Sequence, residues 1–270
     1  MDVARFGDYA SPQYGTIKSS ENYERRFIMT FPNETLPKGR KQKTTALYDR
    51  FVNQGAVMGD SFGLENVLWF ANNKEDAHEE PTIKRSRSHD YVSKEVINVR
   101  ENVGLIEVAN FSKHEFKGPD ARKFLDHIMA GRLPKPGRIS LSPMLSYRGK
   151  LCGDLTVACL DENEFMVFGS GAAQEMHRRW FESHLDKFNL SYSNRSDEYH
   201  GLSIAGPNSR KVLEKIVRDD VSNEKFKFRD SRRMFVGGVP AIINRISFTG
   251  ELGYEIYVAP HYQLKLYEEL

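Results

Sequence analysis

The sequence has 270 residues, with 39 Lys and Arg against 37 Asp and Glu and a formal net charge of +2. This near-balance gives no general attraction to polyanions, so we expect no nucleic-acid partner. No apolar run approaches the roughly 20 residues of a membrane-spanning helix, and the first residues lack the apolar stretch of a signal peptide. We therefore expect a soluble protein without membrane association, cytoplasmic or, if eukaryotic, in the mitochondrial matrix.

Residues 1–80 are polar, rich in aromatic residues and interrupted by Gly and Pro. Helical patterns are limited to residues 17–27 and 45–54, which leaves too little periodic apolar sequence for an independent core. We expect this segment to wrap around or join domains. Residues 72–90 have the composition of a polar connector.

A regular pattern begins at residue 91 and continues to residue 270, with helical and strand periodicities in turn. The predicted elements, in chain order, are a helix over 91–102, strands over 103–108 and 113–117, a helix over 118–129, a hairpin of strands 141–147 and 151–160, a strand over 164–169, a helix over 172–185, a strand over 201–205, a helix over 209–217, strands near 233–236, 239–247 and 255–258, and a helix over 261–270. This arrangement predicts an α+β domain over residues 91–270.

One local motif occurs twice in this domain, as Gly118-Pro119-Asp120 and as Gly206-Pro207-Asn208. Each copy follows a strand pattern and opens a helix, and the polar residue after Pro is suited to capping that helix. The repetition favours a duplicated strand/helix unit over two unrelated turns.

Glu251 lies between Gly250 and Gly253, with strand patterns on both sides. Glycine allows a sharp turn and the close approach of a ligand to the backbone. A carboxylate there can accept two parallel hydrogen bonds from the amidine-like edge of a flat heterocycle. A hairpin turn with a solvated glutamate explains the same residues equally well.

Asp154 follows Gly153 and begins an apolar strand, where Asp is unfavourable in the interior. At the mouth of the strand its carboxylate can face a cavity, although a strand-edge charge with a turn role is an equal alternative. The two cysteines, Cys152 and Cys159, match no zinc or redox spacing, and a separation of seven predicts reduced thiols on opposite faces of one strand. No metal site is predicted, because His177 and His184 are seven residues apart, whereas zinc helices use a spacing of four.

Together these tracts resemble the folate-binding domain of the glycine-cleavage T-protein (aminomethyltransferase) family, from about residue 95 to residue 270. The resemblance rests on the strand before Gly118, the hairpin over 144–157, the stretch 202–207 and Thr249-Gly250-Glu251-Leu252-Gly253-Tyr254-Glu255. Residues 5–71 are similar to the segment that joins the flavin and folate domains of dimethylglycine and sarcosine dehydrogenases. The tracts that carry this second similarity include Arg5-Phe6-Gly7-Asp8-Tyr9, Phe31-Pro32-Asn33-Glu34, Leu47-Tyr48-Asp49-Arg50 and Trp69-Phe70.

The resemblance implies that a flavin domain oxidises a small methylated amine and that this domain captures the one-carbon unit on tetrahydrofolate. The sequence has no Gly-x-Gly-x-x-Gly motif after a strand, so we expect FAD only in a separate domain or subunit, a flavoprotein partner. The family's C-terminal barrel lies outside this sequence. Two alternatives are a catalytically silent folate-binding or assembly module and a folate-dependent sulfonium demethylase, and residues 5–71 argue against the second.

Within the resemblance, Asp154 matches the family's functional aspartate near the folate N5/N10 edge and is the predicted catalytic residue. Glu251 matches the glutamate expected to pair with the pterin edge. Two weaker transfers are Tyr147, on the hairpin that carries pterin-facing side chains, and Ser170, near a position where T-proteins have Asn. The predicted folate contacts are Glu251, Tyr147, Ser170, Gly250 and Gly253.

Overall fold

The computed structural model describes residues 7–31 and 34–270. Four residues that carry the second similarity, Arg5, Phe6, Pro32 and Asn33, lie outside this part of the chain. The chain divides into two compact units, Met1–Asn98 and Val99–Leu270. None of the helices in the described ranges is long and apolar enough to cross a membrane.

Within its described residues, the first unit contains three helices and one hairpin. Its elements are α1 (Pro12–Glu24), α2 (Tyr48–Asn53), β1 (Ala56–Ser61), β2 (Leu64–Phe70) and the start of α3 (Ser88–Glu101). The first helix begins earlier than the sequence pattern indicated, because Ser11 Oγ accepts a hydrogen bond from the Tyr14 N–H at 3.1 Å and caps it. The antiparallel hairpin of β1 and β2 was not predicted. Val57 and Trp69 of this hairpin form a small cluster of buried side chains with Ala71, which follows β2.

The second unit holds the predicted α+β pattern. Its elements are β3 (Gly104–Glu107), β4 (Phe111–Lys117), α4 (Ala121–Ile128), β5 (Arg138–Leu145), β6 (Leu151–Asp161), β7 (Glu164–Ser170), α5 (Gln174–Glu182), β8 (Ser191–Asn194), β9 (His200–Ala205), α6 (Ser209–Ile216), β10 (Ser231–Val236), β11 (Val239–Asn244), β12 (Gly253–Val258) and α7 (Pro260–Glu269). Of these elements, which all lie in the described range 99–270, only β8 has no counterpart among the predicted ones.

The strands of this unit form two five-stranded sheets with the same internal order. One sheet runs β5-β6-β7-β4-β8 and the other β10-β11-β12-β9-β3. In each sheet a strand leads through a Gly-Pro turn into a helix of 8 residues and then into three antiparallel strands. This repeated topology agrees with the predicted duplication.

The glycines of the two Gly-Pro turns have the same structural role. Gly118 and Gly206 have φ angles of +137° and +125°. A Cβ would lie 2.8 Å from Leu190 Cα at the first and 2.5 Å from Asn102 O at the second. Both turns therefore require glycine for conformation and for space.

The polar residues that follow these turns do not cap the helices, contrary to the prediction. Asp120 Oδ2 accepts a hydrogen bond from the Asn189 N–H at 2.8 Å, and Asn208 Nδ2 donates to Asn102 Oδ1 at 2.8 Å. These side chains instead attach each turn to a neighbouring loop, which a local sequence pattern cannot reveal.

The sheet with the order β5-β6-β7-β4-β8 is covered on both faces. One face packs against α4 and α5 through side chains that include Phe116, Phe124 and Phe181, all fully buried. A phenylalanine buried in this way stabilises the fold by roughly 1.5–3 kcal/mol. The other face packs against the second sheet, and the Phe168 ring stacks on Tyr257 with centroids 4.6 Å apart. We call this second face the inter-sheet face.

A β-bulge changes the alternation of side chains near the start of β6. Met144 pairs with Gly153 and Leu145 pairs with Leu151, so Cys152 is the extra residue. Because of this bulge Cys152 and Cys159 both pack on the helix-covered face, and the expectation that they lie on opposite faces is wrong. Both cysteines are free.

Candidate functional site

The predicted catalytic residue, Asp154, lies two residues after the bulge and points to the inter-sheet face. It alternates with the buried Leu155 and is paired with Pro143 on β5. Its side chain is exposed. The structure therefore places this carboxylate at the end of a strand, open to a ligand, on the face that the second sheet covers further along.

Ser170 is brought to the same end of the sheet as Asp154. Thr156 pairs with Phe168, so continuing the register by two residues sets Asp154 level with Ser170, the last residue of β7. Ser170 is exposed and pairs with Phe111, the first residue of β4. Two of the predicted site residues thus lie at the same end of neighbouring strands and on the same face of the sheet.

Glu251 and Gly250 lie in the loop between β11 and β12, and Gly253 is the first residue of β12. The Glu251 side chain is half-buried. The backbone N–H of Glu251 donates to Thr249 Oγ1 at 3.3 Å, and its backbone carbonyl accepts from Ser247 Oγ. Gly250 has a φ of +80° with open space around it, which gives the loop its turn. A Cβ on Gly253 would lie 2.5 Å from Ser247 Cβ, so glycine is required there for space.

Tyr147 lies apart from these residues. Its side chain is 87% exposed on the loop between β5 and β6. The hydroxyl lies 3.2 Å from His184 Nε2 and the ring centroid 5.4 Å from that of Trp180, on α5. Tyr147 therefore packs on the side of the sheet that the helices cover, opposite to Asp154.

A second carboxylate, Glu255, occupies the inter-sheet face and was not predicted as a site residue. It is on β12, is only 8% exposed, and accepts a hydrogen bond from the Tyr257 hydroxyl at 2.9 Å. Its strand neighbours are Asn244 on β11 and Ser203 on β9, both buried. The sequence signal was present as a polar residue inside the apolar strand Gly253–Val258, four positions after Glu251.

Burial raises the pKa of Glu255 to about 7, although the Tyr257 hydrogen bond and the positive charge of Lys113 both act to lower it. Lys113 is fully buried on β4, and its ammonium donates to Ala109 O at 2.7 Å. The positive charge of Lys113 thus acts on Glu255 from near the start of β4, where Phe111 pairs with Ser170.

The two carboxylates differ in environment, and that difference determines what each can do. Asp154 is exposed at a strand end, whereas Glu255 is enclosed by polar neighbours with a pKa near neutrality. Carboxylates in contrasting environments are suited to different chemical roles. Either can accept N–H donors from a heterocycle or stabilise a cation that forms nearby.

A separate groove of about 460 Å³ lies at the other end of the inter-sheet region, where its lining includes Arg233, Tyr199 and Tyr262. Arg233 donates to Glu164 at 2.6 Å, and Glu164 is the first residue of β7, the strand that ends at Ser170. None of the predicted site residues lines this groove. The groove is therefore apart from the strand ends that carry Asp154 and Ser170, but its lining includes Tyr257, which donates to Glu255.

Two family models match this chain. The family described as "GCVT N-terminal domain" matches residues 47–270. The chain belongs to this aminomethyltransferase family. The family described as "FAD dependent oxidoreductase central domain" matches residues 1–45, ahead of the GCVT domain.

The relatives of this GCVT chain include enzymes of two kinds. Mitochondrial dimethylglycine dehydrogenase from Mus musculus is 32% identical over 274 residues, which cover 100% of the chain and 31% of the relative. The Homo sapiens protein of the same name has the same identity and coverage. An aminomethyltransferase from a Thermotoga species is 27% identical over 230 residues, covering 84% of the chain and 57% of the relative. The chain thus spans about a third of the length of the dehydrogenases that it matches.

Solved structures share the fold. The glycine cleavage system aminomethyltransferase T from Bartonella henselae superimposes with a TM-score of 0.69 at 22% identity, covering 84% of this chain and 56% of that one. Heterotetrameric sarcosine oxidase from a Corynebacterium species gives a TM-score of 0.50 at 18% identity, covering 70% and 93%. The predicted α+β aminomethyltransferase fold is confirmed.

Proposed function

We propose that this chain is the folate-binding part of an enzyme that demethylates a small N-methyl amine, and that it transfers the released one-carbon unit to tetrahydrofolate. The observation that carries the proposal is that each sheet has a carboxylate on its inter-sheet face, Asp154 near the start of β6 and Glu255 on the facing sheet. The match of the whole chain to dimethylglycine dehydrogenases, across both family segments, supports an amine as the source of the carbon.

Asp154 is proposed as the catalytic residue. Transfer of a one-carbon unit from an amine to a folate passes through a cationic iminium group, and the ring closure removes a proton from the folate N10. An exposed carboxylate at the strand end can stabilise that cation and accept that proton. Because the interaction strengthens as charge develops, it contributes more to the rate than to binding.

Glu255 and Glu251 are proposed to recognise the pterin ring from two sides. Glu255 is buried beside Asn244 and Ser203, so its carboxylate can accept N–H donors from a flat ring that enters between the sheets. Glu251, on the loop before β12, stays a proposed contact at the rim together with Gly250 and Gly253. Ser170 adds a hydroxyl beside Asp154. Tyr147 lies on the opposite face, which makes it the weakest of the proposed contacts.

The flavin chemistry is proposed to take place in a separate domain or subunit. The segment 1–45 matches the central domain of FAD-dependent oxidoreductases, which supports a flavoprotein neighbour. Dimethylglycine or sarcosine is the class of substrate that this neighbour would oxidise. A mitochondrial location is proposed for a eukaryotic source, since the dehydrogenase relatives are named as mitochondrial.

The proposal is tested by Asp154→Ala in the intact demethylating enzyme that contains this chain. We expect amine oxidation to stay near the parent rate while formation of methylenetetrahydrofolate falls about a hundredfold, close to 2.7 kcal/mol, and free formaldehyde rises in its place. Asp161→Ala is the matched control, since this exposed carboxylate lies at the other end of β6. Parent-like folate chemistry in the Asp154 variant would show that this residue is only structural. Folate binding without transfer in the parent would identify a silent binding module instead.

A further inference from the structure

An imidazole on the helix-covered face of the sheet contacts the bulge that precedes Asp154. His177 lies on α5, is 2% exposed, and its Nε2 is 3.2 Å from the carbonyl oxygen of Cys152, the bulged residue. A carbonyl can only accept, so Nε2 carries the proton and donates. Burial lowers the pKa of His177, which keeps the ring in this neutral form. A helix on one face of the sheet is thus hydrogen-bonded to the backbone that carries Asp154 on the other face.

Two glycines make room for this ring. A Cβ on Gly153 would lie 2.8 Å from His177 Nε2, and a Cβ on Gly169 would lie 3.2 Å from Nδ1. Each glycine immediately precedes one of the two site residues at this edge, Asp154 and Ser170. The imidazole therefore occupies a notch that exists only because β6 and β7 lack side chains there.

A bulge redirects the side chains that follow it, and bulges are common beside active sites. The extra residue of a bulge is left out of the ladder of its strand pair, so its carbonyl needs a partner from outside that ladder. His177 supplies such a partner from α5. This hydrogen bond joins the bulge to α5 at the point where β6 begins.

We propose that His177 is a positioning residue for the one-carbon transfer, which holds the bulged Cys152 carbonyl and thereby sets the direction in which Asp154 leaves β6. The inference rests on the proposed function of Asp154. It assigns His177 no contact with folate or with the reacting carbon. Its effect should therefore appear in the transfer rate and in the geometry of β6, and not in folate affinity.

The test compares His177→Leu, His177→Gln and the control Phe124→Leu. Gln keeps an N–H donor of similar reach, whereas Leu removes it. Phe124 is fully buried in the same core, on α4, with ring contacts to Phe116 and Phe188, so its variant matches the loss of packing without touching the bulge. Two measurements are made: amide hydrogen exchange over residues 151–156 in this chain, and methylenetetrahydrofolate formation in the intact enzyme.

We expect His177→Leu to accelerate exchange over 151–156 and to lower the transfer rate roughly tenfold to a hundredfold, the usual effect of a small misplacement of a catalytic group. Tetrahydrofolate affinity should change less than about threefold, which is well under 1.4 kcal/mol. His177→Gln should recover most of the rate, and Phe124→Leu should match the parent in both measurements. Equal losses in the His177→Leu and Phe124→Leu variants, or no recovery in His177→Gln, would overturn the inference.

The two proposals fail in distinguishable ways. A parent enzyme that forms no methylenetetrahydrofolate contradicts the proposed function. In that case the exchange measurement still decides whether His177 holds the bulge, since it needs no folate. Unchanged exchange over 151–156 in His177→Leu contradicts the positioning role whatever the enzyme transfers.

Discussion

Glu255→Gln gives the sharpest test of the buried carboxyl, because it removes the charge and keeps the shape. In the folded chain the pKa of Glu255 is raised to about 7 from an ordinary value of 4.5, chiefly by burial. Above pH 7 the folded protein must therefore hold a carboxylate that would be better solvated in the unfolded chain. Gln keeps an acceptor for the Tyr257 hydroxyl and carries no charge at any pH.

The size of the effect follows from the two pKa values. A group whose pKa is higher in the folded state stabilises the fold fully below the unfolded value, and that stability is lost as the pH rises through the folded value. A rise from 4.5 to about 7 corresponds to about 3 kcal/mol, at about 1.4 kcal/mol for each tenfold change. The loss falls between pH 4.5 and pH 7 and is complete a little above it.

Urea denaturation of the parent chain and the Glu255→Gln variant at several pH values measures this loss of stability. Other titrating groups contribute equally to parent and variant, so the difference between their free energies of unfolding isolates Glu255. We expect that difference to shift by about 2–3 kcal/mol in favour of Gln between pH 5 and pH 8. Tyr257→Phe removes the hydrogen bond that favours the charged form of Glu255. This change should raise the pKa of Glu255 further, so that the loss of stability extends to higher pH. A difference that stays constant with pH would refute the reasoning.

Two further predictions concern the loop and the core. Glu251→Ala should weaken tetrahydrofolate binding by about 1.5–3 kcal/mol in calorimetry, the range for hydrogen bonds to a charged group, and unchanged affinity would remove Glu251 from the site. Burial lowers the pKa of His114 from 6.5 to about 3, so folding stability should fall as the pH drops below 6.5, by about 2 kcal/mol at pH 5. His114→Asn should abolish that loss in urea denaturation, and an unchanged acid dependence would contradict it.

The sequence predicted the second unit well because its elements carry local signals. The Gly-Pro turns mark the starts of α4 and α6, and the apolar residues of α4 repeat at the spacing of a buried helix face. Alternation located the β5–β6 hairpin to within a few residues. β8 was not found, because Ser191–Asn194 is short and has no apolar alternation, and it is a strand only through pairing with β4.

The candidate site was predicted in part, for physical reasons that the residues make clear. Asp154 is marked by its own neighbours, a glycine before it and an apolar strand after it. The bulge at Cys152 is a mismatch in the pairing of two strands, so the sequence of either strand alone does not show it. Glu251 drew attention because glycines flank it, whereas Glu255 became a candidate only when the facing sheet showed that it is buried. Local patterns identify turns and strand ends, but burial is a property of what packs opposite.

Each copy of the duplicated strand/helix unit contributes one of these two carboxylates, Asp154 on β6 and Glu255 on β12. Each copy contributes a sheet, and the faces that the helices leave uncovered pack on each other. Glu255 lies where that packing excludes water, and Asp154 lies where a strand end leaves it open. A ligand that donates N–H groups to Glu255 would restore the hydrogen bonds that burial removed and so favour its charged form. Under the proposed function, binding and ionisation at Glu255 would then reinforce each other, while the exposed Asp154 would stay available for the cation of the proposed transfer.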